Sequence, residues 1–223
     1  APTSATAAAA TPLPRDRLMG AWLFSTAALV FGMVVLGGAT RLTRSGLSMV
    51  DWTPLGRLPP STTEEWQKEF DRYKTFPEGK QNPRMTLDEF KFIFFMEWAH
   101  RTYGRGLGLF YGLPLAFFLA SGRAKAVGKT GALLALFGLG GAQGLVGWWM
   151  VKSGLKHDLP LDKEVRVSPY RLTAHLAMAV TLFSGLLWTG WSVIHPARLP
   201  KAAINRPVSA GAHAVVGLVF ATM

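Results

Sequence analysis

The sequence predicts an all-α polytopic membrane protein: a four-helix transmembrane bundle, the start of a fifth helix, and a long, partly helical outer loop. Three observations predict this class. Hydrophobic side chains make up 49% of the 223 residues. They are gathered into long unbroken runs rather than alternating with polar residues. Four of those runs, residues 18–38, 92–120, 131–151 and 172–194, are long enough to cross the roughly 30 Å hydrocarbon layer as helices.

Residues 1–17 precede the first span, and their opening APTSATAAAATPLP is low in complexity, so this segment is expected to be disordered. The first span ends in GGATRLTRSGLS, where Gly37 and Gly38 allow close packing. Arg41 and Arg44 follow just past the membrane edge and are candidates to hold anionic groups of a ligand, or to anchor lipid headgroups. The outer loop, residues 39–91, carries two helix-start signals: Ser61, Thr62 and Thr63 before Glu64 and Glu65, and Thr86 before Asp88 and Glu89. Structureless loops of that length are uncommon, so an ordered cover over the helix ends is expected. Pro114 interrupts the second span and frees one backbone carbonyl. Trp22, Trp98, Trp148, Trp149, Trp188 and Trp191 lie near the ends of the runs and are read as an aromatic belt. A basic inner loop, residues 195–207, leads to an apolar run at 208–223, which is shorter than a crossing requires and reads as a fifth helix cut short.

The net charge of +11 follows topology rather than marking a nucleic-acid surface. Arg123, Lys125 and Lys129 in residues 121–130, and Arg198, Lys201 and Arg206 in 195–207, have no acid beside them. Residues 39–91 and 152–171 mix basic with acidic side chains. The positive-inside rule then puts the N-terminus and the two purely basic loops on the cytoplasmic or matrix side. The absence of cysteine removes disulfides and thiolate chemistry.

Depth sorts the histidines. His100 lies about eight residues, near 12 Å, below the outer start of its span, and His175 four to six residues below its own. His213 enters from the opposite side, while His157 and His195 lie in connections. Two imidazoles at matched depth on separate helices predict a shared metal or cofactor, because a buried imidazole without a partner is costly. The choices are haem held from both faces, a two-His copper or zinc site, or non-haem iron helped by Glu97. Glu97-x-x-His100 matches the element used by di-iron bundles, but no second copy occurs and the other spans carry no acid. Haem fits the residues best, with Arg41, Arg44, Arg101 and Arg105 as candidate propionate contacts. Glu97 then has no ligating duty. It is read either as a salt-bridge partner of Arg101, four residues on, or as a carboxylate that accepts a proton or stabilises developing positive charge beside the porphyrin.

The motifs GGATRLTRSGLSMVDWTPLG, FDRYKTFPE, MTLDEFKFIFFMEWAHRTYGR, QGLVGWWMVKSGL and RVSPYRLTAHL together resemble the N-terminal half of the haem A synthase family, in its cysteine-independent, mitochondrial and proteobacterial form. The resemblance implies half of an eight-helix, pseudo-symmetric fold. It also implies oxidation of a methyl group of haem O to the formyl group of haem A, for cytochrome c oxidase assembly. His100 in EWAHR and His175 in TAHL match the family's haem-iron ligands, and Glu97 its catalytic acid. Haem B is implied in a second half that this chain lacks. Membrane lipid, an electron donor such as ferredoxin, haem O synthase and further copies of the chain are the partners implied. The site implied is the mitochondrial inner membrane or a bacterial plasma membrane. A non-catalytic haem-binding membrane protein, either a cytochrome b-like electron carrier or a haem carrier, is the alternative.

Overall fold

A computed structural model describes residues 14–53, 55–156 and 164–196. The expected disordered segment, His157, His213, most of the second basic loop and the short fifth run lie outside these residues. The described residues form only helices: α1 Arg17–Leu42, α2 Thr63–Lys74, α3 Pro77–Gln81, α4 Leu87–Ala120, α5 Arg123–Ala126, α6 Thr130–Lys152 and α7 Pro169–Ile194. The four long helices close a ring in which α1 touches α4 and α7, and α6 touches the same two. This leaves α4 and α7 at opposite corners.

Three of these helices, α1, α6 and α7, are long and apolar enough to cross a membrane. The span expected at 92–120 lies inside α4, whose 34 residues extend roughly 50 Å, well beyond the hydrocarbon layer. The first part of α4 projects past the bundle, and Glu97, His100, Arg101 and Arg105 keep the helix below the apolarity of its neighbours. The outer loop is also shorter than residues 39–91, because α1 continues to Leu42 and α4 begins at Leu87.

Both expected caps form, although the second one opens α4 instead of a helix within the loop. Thr62 Oγ1 accepts from the Glu65 amide at 3.2 Å and the Glu65 carboxylate accepts from the Thr62 amide at 3.2 Å. Thr86 and Glu89 repeat the reciprocal pair. Each such box satisfies amide donors that the first helical turn leaves unpaired.

Two separate cores result. One fills the bundle end away from the cover, with Leu23, Phe118, Leu133 and Leu186 among its buried residues. The other lies in the cover, where Met49, Trp66, Phe70, Tyr73, Phe90 and Phe94 pack onto the projecting part of α4. Trp22 belongs to the first core, at 7% exposure, and not to an aromatic belt. Its indole N–H donates to the Phe110 carbonyl at 3.1 Å. Phe110 lies four residues before Pro114, so Trp22 satisfies the acceptor that the missing proline N–H leaves open. At the far end, Asp16 caps α1 and accepts from Arg123 at 2.7 and 2.6 Å, tying the helix start to α5.

Candidate functional site

Between the two cores the bundle interior changes character. Among the described residues, α4 buries no residue from 98 to 110, α6 none from 137 to 152, and α7 none from 169 to 181. His100 and His175 lie within these stretches, with Gly37 and Gly147 against their rings. The two imidazoles project from the opposite corners α4 and α7. Equal distance from helix starts is not what aligns them. His100 is thirteen residues into α4 and His175 six into α7, roughly 20 and 9 Å along their helices. The projecting turns of α4 make up the difference.

Each imidazole rests on a glycine of an adjacent helix. A Cβ added to Gly37 of α1 would sit 3.0 Å from His100 Cε1, and one added to Gly147 of α6 would sit 3.0 Å from His175 Cε1. Any larger residue would displace the ring. The Nδ1 atom of both histidines is buried without a hydrogen-bond partner, an expensive arrangement in an apolar interior. Beside them Gln143 of α6 donates from Nε2 to the His175 carbonyl at 2.9 Å.

Glu97 is 2% exposed and fully engaged. Its Oε2 accepts from Ser48 Oγ and from the Met49 amide, both at 2.7 Å, and its Oε1 accepts from Arg101. Arg101 also donates to the carbonyls of Asp51 at 2.7 Å and Met49 at 2.9 Å. The salt bridge anticipated at four-residue spacing therefore forms, within a larger clamp. Trp98 Nε1 donates to the Arg57 carbonyl at 2.9 Å and Arg105 to the Thr53 carbonyl at 3.0 Å, so one face of α4 straps down the segment from Ser48 to Arg57. Glu97 thus has a structural duty that its sequence spacing alone did not reveal. Local sequence carries no sign of Ser48 or the Met49 amide as partners, since both come from a loop about fifty residues away.

The candidate propionate contacts separate. Arg101 is committed to the clamp. Arg44, with a positive φ of 54°, pairs with Glu164 at 2.8 Å. Arg41 is exposed on the last turn of α1, and Arg105 faces the strap. His195 is exposed and stacks on Trp191, with ring centroids 4.2 Å apart. In the cover, burial pushes the Glu78 carboxyl up to about 7. Glu97 reinforces the rise, while Tyr73, donating at 3.3 Å, and Arg44 oppose it.

This donor set suits a metal that brings its own equatorial ligands. Among the described residues no three His, Cys, Asp or Glu side chains converge as a metal group, and Glu97 is spent on the clamp. Two buried imidazoles on opposite corners of the bundle, with unpartnered Nδ1 atoms, fit a flat macrocycle that supplies the remaining ligands. A bare two-His metal would lack further ligands.

The family model described as COX15-CtaA, cytochrome oxidase assembly protein, matches residues 20–223. The chain is 53% identical to haem A synthase COX15 of Arabidopsis thaliana over 183 residues, covering 81% of this chain and 40% of that protein. It is 48% identical to haem A synthase COX15 of Homo sapiens over 215 residues, 93% of this chain and 51% of that protein. It is 51% identical, over 176 residues, to the haem A synthase-mitochondrial ferredoxin fusion protein of Schizosaccharomyces pombe, covering 78% of this chain and 28% of the fusion. The chain spans about half the length of the curated relatives it matches. No solved structure matches it. With nearly its whole length matched by one family and the quoted motifs in place on α1, α4, α6 and α7, this membrane protein belongs to the COX15-CtaA family of cytochrome oxidase assembly proteins.

Proposed function

We propose that this chain forms the substrate-binding half of a haem A synthase, holding haem O between His100 and His175 while a methyl group is oxidised to a formyl group. The observation that carries the proposal is the pair of imidazoles on opposite corners of the bundle, each with a buried Nδ1 that has no hydrogen-bond partner. Bound haem iron would supply the redox chemistry, and the chain's residues do the rest. His100 and His175 orient the macrocycle, and Gly37 and Gly147 keep room for the rings. Arg41, exposed on the last turn of α1, is the basic group left for a propionate. Glu97, one helical turn from His100 with both oxygens held by fixed donors, suits stabilising positive charge on the substrate better than shuttling a proton.

The donor is a ferredoxin-type protein, which the fused relative supports. The setting is an energy-transducing membrane, the mitochondrial inner membrane or its bacterial counterpart, with the N-terminus on the matrix or cytoplasmic side. Exposed Arg15, Arg17 and Lys125 at the bundle end away from the cover support that orientation.

The test uses the full-length protein: His100→Ala and His175→Ala should each abolish the haem held at this site, read from extracted pigment, together with haem A formation. Unchanged pigment and yield in both variants would overturn the assignment. The full engagement of Glu97 favours one second reading, a non-catalytic haem carrier. A carrier supplied with haem O would return it unmodified.

A further inference from the structure

Gln143 has an atom that the proposed function does not use. Its Nε2 is committed to the His175 carbonyl, yet its Oε1 is buried with no donor. Gln143 lies four positions before Gly147 on the same face of α6, and the two meet the carbonyl and the ring of His175 respectively. An unpaired amide oxygen in a membrane interior is costly and calls for a donor. The neighbouring imidazole does not supply one, since its Nδ1 is itself buried without a partner.

On the reading that haem O occupies this site, we infer that Gln143 Oε1 accepts a hydrogen bond from the hydroxyl group on the substrate's isoprenoid side chain, making Gln143 a specificity residue for haem O over haem B. The chemistry of the two haems supports this. Haem B carries a vinyl group where haem O carries a hydroxyl-bearing isoprenoid chain, so a neutral acceptor in an apolar wall is the element that separates them. A site built to hydrogen-bond a hydroxyl rejects ligands that lack it, because its own buried acceptor is then left unpaired. Gln143 also couples that discrimination to ligation, since its amide nitrogen holds the turn of α7 that bears His175.

The experiment titrates the full-length, detergent-solubilised protein with haem O and with an analogue whose side-chain hydroxyl is replaced by hydrogen. The fraction of binding lost in His175→Ala defines the site. The wild-type protein should bind haem O about tenfold more tightly than the analogue. Gln143→Met should abolish the difference, whatever loss of the amide bond to the His175 carbonyl costs the two ligands in common. Equal affinities in the wild-type protein overturn the inference without any variant, as would be expected if water satisfies the oxygen. A difference that persists in Gln143→Met overturns it as well. If His175→Ala leaves haem O binding intact, the haem site itself is wrong, a failure distinct from the first two.

Discussion

At Glu97, two demands meet in one side chain. The carboxylate closes a clamp from α4 to the strap segment, and Arg101, the other half of the pair, has a side chain only 12% exposed. Removing the acid leaves that guanidinium with two carbonyl acceptors and no counter-charge. Glu97→Ala is therefore expected to cost about 3 kcal/mol and to speed amide hydrogen exchange across residues 48–57. Glu97→Gln keeps an acceptor for Ser48 and Met49, so it should preserve most of that protection. If the acid also acts on the substrate, Glu97→Gln still stalls haem A formation with pigment retained; a wild-type haem A yield would confine Glu97 to holding the strap. The spacing to His100 and to Arg101 was legible in the sequence, whereas the donors from Ser48 and Met49 were not, because chain folding alone brings them to α4.

At the scale of the element, α4 runs beyond the span that its apolar residues mark. Its first turns serve the cover and its last turns serve the bundle core, so a single composition describes neither part. The proline within it costs little because Trp22 reaches across from α1 to the Phe110 carbonyl. Trp22→Phe should destabilise the protein by about 1–3 kcal/mol through the orphaned acceptor, apart from any packing loss. In a Pro114→Ala background the restored N–H serves that carbonyl, so the same Trp22 change should cost measurably less. Unfolding in detergent of the two single variants and the double variant reads the coupling, and strictly additive effects would refute it. The freed carbonyl was visible in the sequence. Its partner was not, since Trp22 sits near a helix end and resembles an interfacial anchor there.

For the whole molecule, the bundle, the ordered cover and the burial of His100 and His175 followed from run lengths, caps and two polar residues in apolar surroundings. Helix offsets did not, because depth counted from a helix start assumes that every helix starts at the membrane. The cover adds a pH dependence. Glu78 in the folded protein holds its proton up to about 7, against 4.5 ordinarily. Its contribution is complete below the ordinary value and lost as pH rises through 7, which should lower stability by about 2 kcal/mol between pH 5 and 8. Thermal unfolding at the two pH values measures this, and Glu78→Gln should flatten the slope; an unchanged slope assigns it to other groups. The two cores also share α4. The strap holds it as far as Arg105, and Leu107 and Tyr111 already pack with the first core, while Tyr103 donates to the Leu29 carbonyl of α1 at 3.1 Å and Gly37 of α1 rests against His100. His100 is thus gripped from the cover and from α1 at once, so a load placed on the cover from the aqueous side is shared with α1 at the level of the imidazole.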